Sequence, residues 1–190
     1  TQKSNGLFYD CYSQSILYLL DHLGLQDYVH TFCLLYPFAI TPDSRLFSSS
    51  PAVTRTDFEF LLSAAGAAHT ERYVQNDVVR HLIQDLNQHR LIMLPVDCFY
   101  DEYFKYTFGR IHKKHYLLVF DYNRAKSTFR AVRHDYVNEN NYHIEEIPFR
   151  TLALQYNLSR KFLSEEPYIC FWKKRWNQQV DPLYGFGYVL

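Results

Sequence analysis

The sequence lacks any run of the roughly 18 to 20 consecutive apolar residues that a membrane-spanning helix needs. Its most apolar early segment, from Leu17 to Leu25, is broken by Asp21 and His22. It has no excess of either charge. Its 20 Lys and Arg balance 20 Asp and Glu, which removes the broad basic field of a non-specific nucleic-acid binder. No nucleic-acid or membrane partner is expected. There is no Cys-x-x-Cys pair: Cys11, Cys33, Cys98 and Cys170 lie far apart, which argues against a structural zinc site and a dense disulfide framework. Four dispersed thiols suit a reducing, cytoplasmic setting. The first residues, Thr1 to Gly6, lack the charged segment and apolar run of a secretory signal. They also lack Met, so the chain is expected to be trimmed or excised from something longer.

What is present is enough to bury a core. Hydrophobic residues make up 47% of the 190 and charged residues 21%, so residues 1–190 are read as one domain. Ile16, Leu19, Leu20 and Leu23 recur at helical spacing, with Asp10 placed as an N-cap, Cys11 in the first turn and Gly24 as the stop. Two more helices are predicted, over Thr56 to Ala65 and Asn76 to Asn87. From Leu91 the pattern changes to short runs of β-formers: Leu91 to Val96, Tyr116 to Phe120, Thr128 to Val132 and Tyr168 to Trp172. Asp121 to Ser127 is a polar connection of hairpin length. The expectation is an α+β domain with N-terminal helices packed on a largely antiparallel β-sheet.

A cysteine in the first turn of a helix faces unsatisfied backbone N–H groups and the positive end of the macrodipole, which favour thiolate over thiol. Cys11 is therefore the candidate nucleophile. A thiolate that forms an acyl-enzyme needs a histidine to move protons and a third group to hold that histidine. His115 opens one strand run and Asp135 ends the next, twenty residues on. In a hairpin turning near Asn123 to Lys126, those two positions become neighbours.

Tyr9-Asp10-Cys11 ahead of an amphipathic helix, His115-Tyr116-Leu117-Leu118-Val119, and an aspartate closing the following strand resemble the papain-like arrangement of bacteriocin-processing peptidase domains. Pro95-Val96-Asp97-Cys98-Phe99-Tyr100 ahead of His115 brings the sequence nearer to the family of the N-terminal domain of butirosin biosynthesis protein H, a likeness covering roughly Asn5 to Tyr136. The resemblance implies a papain-like cysteine acyltransferase. Its acyl donor would be the phosphopantetheine thioester of an acyl or peptidyl carrier protein, and its acceptor an amine or hydroxyl, small-molecule or peptidyl, in antibiotic and related natural-product biosynthesis. No cofactor bound to the chain itself is implied. By the same resemblance Cys11 is nucleophile, His115 base and acid, and Asp135 the orienting carboxylate. In the peptidase relatives a Gln six residues before the Cys supplies the oxyanion hole. Asn5 holds that position here and offers the same donor one methylene shorter, with Gln2 or Gln14 as substitutes.

A peptidase that processes a leader peptide would use the same triad, and a catalytically silent domain that binds a carrier or synthase is the third class. Tyr12 in place of the small residue favoured after the peptidase cysteine counts against the protease. Arg110, Lys113 and Lys114 form a basic cluster before His115, readable as a solvated loop or as a docking patch for an acidic carrier. His112 and His115 have a possible metal-ligand spacing but lack a Cys or carboxylate at motif spacing, so no metal is expected. Asp97 is taken as structural, and Asp121 as a turn residue at the far end of its strand from His115. The aromatics from Phe99 to Tyr106 are read chiefly as core and lid packing.

Overall fold

The computed structural model of the protein describes residues 11–25, 62–134 and 142–173. The chain divides into two units, Thr1–Leu19 with Thr70–Phe171, and Leu20–His69 with Trp172–Leu190. Helix α1 spans Cys11–His22 and begins at the cysteine. Its end is set as the sequence predicts. Gly24 adopts φ +68°, its N–H bonds Asp21 O at 3.0 Å, and the N–H of Leu25 reaches back to Leu20 O at 2.8 Å. This is the paired closure of a glycine-terminated helix, in which a left-handed residue satisfies the last carbonyls. Of the helix expected over Thr56 to Ala65, only residues 62–65 fall within the described residues; 62–64 are helical and Ala65 is in a turn.

The larger unit carries most of a sheet. Strands β1 (Ala67–Arg72), β2 (Leu91–Asp97), β3 (Lys114–Asn123), β4 (Thr128–His134), β5 (Tyr142–Pro148) and β6 (Tyr168–Lys173) are ordered β1-β6-β2-β3-β4-β5. The pairings β6–β2, β2–β3, β3–β4 and β4–β5 are antiparallel. Helix α2 (Val78–Leu86) falls between β1 and β2, and α3 (Phe149–Phe162) between β5 and β6. The class is α+β, as expected, but the order of helices first and strands second is corrected: a strand precedes α2, and a helix separates the last two strands.

The central strand β2 is buried at every position, so both faces of the sheet are covered there. One face carries Ile92, Leu94 and Val96 of β2, Leu117 and Val119 of β3, and Phe129 and Ala131 of β4. These meet Val78, Leu82 and Leu86 of α2 and Leu152 and Tyr156 of α3. Each enclosed leucine contributes about 1.5–3 kcal/mol. The stripe Val78, Leu82, Leu86 recurs every four residues, as a helix lying on a sheet requires. Helix α2 is opened by Asp77, whose carboxylate accepts from the N–H of Arg80 at 3.3 Å. On the opposite face Leu91, Met93, Leu118 and Ile169 are also buried, and α1 reaches the sheet where Tyr18 meets Phe120 with ring centroids 6.4 Å apart.

The β3–β4 hairpin forms where the polar connection predicts, with residues 124–127 as the turn and Ser127 at positive φ. Its register runs from Asn123↔Thr128 to Leu118↔Val132, with a shift between Val119 and Asp121. Asp121 does lie toward the turn end, away from His115. It belongs to β3 rather than to the turn, however, and its carboxylate accepts from Arg130 at 3.1 Å.

Candidate active site

Of the residues singled out for chemistry, His115 lies at the end of the sheet where β2 finishes, β3 starts and β4 finishes. His115 is the second residue of β3 and pairs with Val96. Side chains alternate along a strand, so His115 shares the face of Leu117 and Val119. It is completely buried. Phe104 closes over it edge-on, with ring centroids 4.9 Å apart.

Phe104 sits on an excursion, residues 98–113, that leaves β2 and returns at β3. A single 3₁₀ turn, Cys98–Tyr100, starts it, and the N–H of Cys98 bonds Lys113 O at 2.9 Å to close its neck. Arg133 of β4 is held beneath it. The guanidinium ion-pairs with buried Asp101 and, at 2.5 Å, with Glu145 of β5. It also lies over the rings of Tyr103 and Phe104, 4.7 and 5.4 Å from their centroids. A buried guanidinium is costly unless paired. Here two carboxylates and two aromatic faces meet it, fixing Phe104 against His115.

Cys11 opens α1, as the sequence predicts, and is 8% exposed. Ser15 Oγ donates to its carbonyl at 2.7 Å. The charge of Cys11, like those of Asp101, Lys113 and Arg133, acts on the thiol of Cys98. Two other described cysteines are held as thiols. Burial, followed by Asp101 and Cys11, pushes Cys98 up to about 12; burial, followed by Asp85, pushes Cys170 up to about 12. Neither supplies useful thiolate near neutral pH. Asn5 and Asp135, expected as oxyanion donor and orienting carboxylate, lie outside the described residues.

Arg110, Lys113 and Lys114 are all exposed. Lys114 bonds Glu166 at 2.6 Å, beside Tyr116 OH at 2.8 Å and Ser164 Oγ at 3.0 Å from the same carboxylate. Burial pulls the Glu166 carboxyl upward, but these hydrogen bonds outweigh it and hold the group below the usual carboxylate range.

One arrangement was visible in the sequence only as separate parts. Asp97, the last residue of β2, is completely buried. Its Oδ1 accepts the N–H groups of Phe99 at 3.0 Å and Lys113 at 3.2 Å, and its Oδ2 lies 2.6 Å from His112 Nδ1. Asp97 is therefore structural, as expected, and also orients a histidine. Spacing alone gave no sign of the pair, whose members stand fifteen residues apart and meet only when the excursion closes.

A recess of about 650 Å³, lined by Asp121, Tyr122, Asn123, Arg124, Arg130 and Glu146, lies at the hairpin's turn end, away from His115. It has no thiol and no histidine. Among the described residues, no group of three His, Cys, Asp or Glu side chains is placed to hold a metal, and no helix is long and apolar enough to cross a membrane. No family model and no curated protein matches the chain.

Proposed function

We propose that the protein is a cysteine acyltransferase that takes an acyl group from a carrier-protein thioester onto Cys11 and passes it to an amine or hydroxyl in natural-product biosynthesis. The observation that carries this reading is that Cys11 opens its helix, where the macrodipole favours thiolate, while His115 is held fully buried on β3. In the first half-reaction the Cys11 thiolate attacks the thioester carbonyl. A carbon–sulfur bond forms to Sγ, the bond to the phosphopantetheine sulfur breaks, and His115 returns a proton to the departing thiolate. In this reading Asp135 holds the His115 ring and Asn5 donates to the developing oxyanion. Arg110 and Lys113, with exposed Tyr106 and Ile111 nearby on the excursion, offer a basic and aromatic approach for an acidic carrier.

The test is intact mass spectrometry after incubation with a panel of acyl-loaded carrier proteins. The expected result is a mass gain equal to the acyl group that is absent in Cys11→Ala and much reduced in His115→Ala. A wild-type protein that gains no Cys11-dependent mass from any donor, or that instead cuts a leader peptide, overturns the acyltransferase reading.

A further inference from the structure

The excursion of residues 98–113 is a loop closed on itself. Both of its ends are gathered on Asp97, whose Oδ1 accepts the N–H groups of Phe99 and Lys113 and whose Oδ2 lies 2.6 Å from His112 Nδ1. Within the loop, Phe104, Thr107, Phe108, Arg110 and Ile111 donate their backbone N–H groups to carbonyls of the same segment, and Gly109 N–H reaches Phe99 O at 2.9 Å. A surface loop whose ends meet and whose body bonds to itself is an Ω-loop. It keeps its shape when it moves, because these backbone bonds travel with it.

Side chains hold the loop to its surroundings. Near the neck, Gln155 of α3 donates to Tyr100 O and Phe162 of α3 stacks on His112, which fixes the pivot. The outer residues Tyr106 and Ile111 are 75% and 57% exposed. On the inner side Phe104 lies against His115, which has no exposed surface, and Asp101 pairs with Arg133 of β4. A histidine so enclosed exchanges no proton with a substrate until its cover lifts.

Arg133 has two carboxylate partners, and they belong to different bodies. Asp101 travels with the loop, whereas Glu145 stays on β5, 2.5 Å from the guanidinium. When the loop rises, Arg133 keeps Glu145 and water reaches Asp101, so no charge is left buried and unpaired. Desolvating an enclosed ion pair offsets much of its attraction. Separating this pair into water is therefore far easier than removing one partner by mutation, and the contact is suited to repeated opening.

We propose that residues 98–113 are a lid that turns about Asp97 as a unit, with Asp101–Arg133 as its latch and Phe104 as the plug lifted from His115; that the opening admits an acyl donor rests on the acyltransferase reading. Closed, the lid keeps His115 out of water between turnovers.

Diethyl pyrocarbonate, which carbethoxylates accessible neutral imidazoles, reads the lid without any acyl donor. Rates at His115 and at exposed His89 are followed by peptide mass spectrometry. Iodoacetamide labelling of Cys170, fully buried on β6, reports any opening of the whole fold. In wild type His115 is expected to react more slowly than His89. Asp101→Asn removes the latch charge but keeps an Oδ1 for the Tyr103 N–H that Asp101 accepts at 3.1 Å. It is expected to raise the His115 rate about tenfold or more with Cys170 labelling unchanged, and Phe104→Ala, which removes the plug, to do the same. A His115 rate within about threefold of wild type in either variant overturns the proposal. A rise matched by an equal rise at Cys170 also overturns it, since that marks loosening of the whole fold. Absence of acyl-Cys11 in the carrier assay sinks the acyltransferase reading alone, because the His115 rate is measured without it.

Discussion

Replacing Asp85 by Asn tests how the larger unit is held together. Asp85 is 2% exposed in the last turn of α2. Its carboxylate is ion-paired with Arg72 Nε of β1 at 3.0 Å and accepts from Arg90 Nη1 at 2.9 Å and from the hydroxyl of Tyr168 on β6 at 3.0 Å. One buried charge thus ties a helix to two strands and a turn. Asparagine preserves the volume and one acceptor but removes the charge and turns an amide N–H₂ toward a guanidinium. Breaking a buried ion pair costs about 3–5 kcal/mol. The arginine side chains are 38% and 21% exposed, so water offsets part of the loss and about 3 kcal/mol is expected. For a domain of this length that lowers Tm by about 6–12 °C. The assay is thermal unfolding followed by circular dichroism, with Asp77→Asn as the control. Asp77 pairs with Arg80 on the surface and caps α2, a role Asn fills equally well, so that change should stay below about 1 kcal/mol. If Asp85→Asn melts within about 2 °C of wild type, or no lower than Asp77→Asn, the buried charge does not tie these elements together.

Leu94→Ala, in the centre of β2 with no exposed surface, is expected to destabilise by about 2–5 kcal/mol in urea unfolding. Cys98 and Cys170 should alkylate far more slowly than Cys11 in native protein at pH 8, because thiols pushed up to about 12 hold only about one part in ten thousand as thiolate there; peptide mapping after a short iodoacetamide pulse reads the ranking, and equal labelling of Cys11 and Cys170 removes Cys11 as an activated nucleophile. Because the Glu166 carboxyl is held below its ordinary value in the folded chain, its contribution to stability is fully present above about pH 4.3 and is lost as pH falls through the lower folded value. Urea midpoints compared between pH 6 and pH 3 should drop less for Glu166→Gln than for wild type, and identical slopes would contradict this assignment.

The elements legible in the sequence were those whose patterns are local. Helix α1 showed its start through Asp10 ahead of Cys11 and its stop through Gly24, α2 its spaced apolar face, and β2, β3, β4 and β6 their runs of β-formers. Strand β1, Ala-Ala-His-Thr-Glu-Arg, has no such run, and its place in the sheet is set by its pairing partner. Strand β5 hides behind Glu145 and Glu146. Helix α3 was readable in principle, since Phe149, Leu152, Ala153 and Tyr156 recur at helical spacing. Buried Gln155 and Ser159 interrupt that face, however, and Gln155 lies inward because its Nε2 donates to Tyr100 O at 3.2 Å. At the candidate site, Cys11 and His115 each carried a positional signal. The Asp97–His112 pair is a tertiary fact, created when the excursion folds back on β3.

Strand β5 is the outermost strand at its side of the sheet among the described residues, and its composition decides what that side can become. An open strand edge invites a second copy to extend the sheet, the first step toward fibrous assembly. Here Glu146 engages Lys126 of the neighbouring turn, Glu145 points a charge inward to Arg133, and Pro148 offers no N–H at the strand's end. An added strand would have to bury these carboxylates or break the Arg133 pairing, so the buried guanidinium that fixes Phe104 over His115 also helps guard the protein against aggregation.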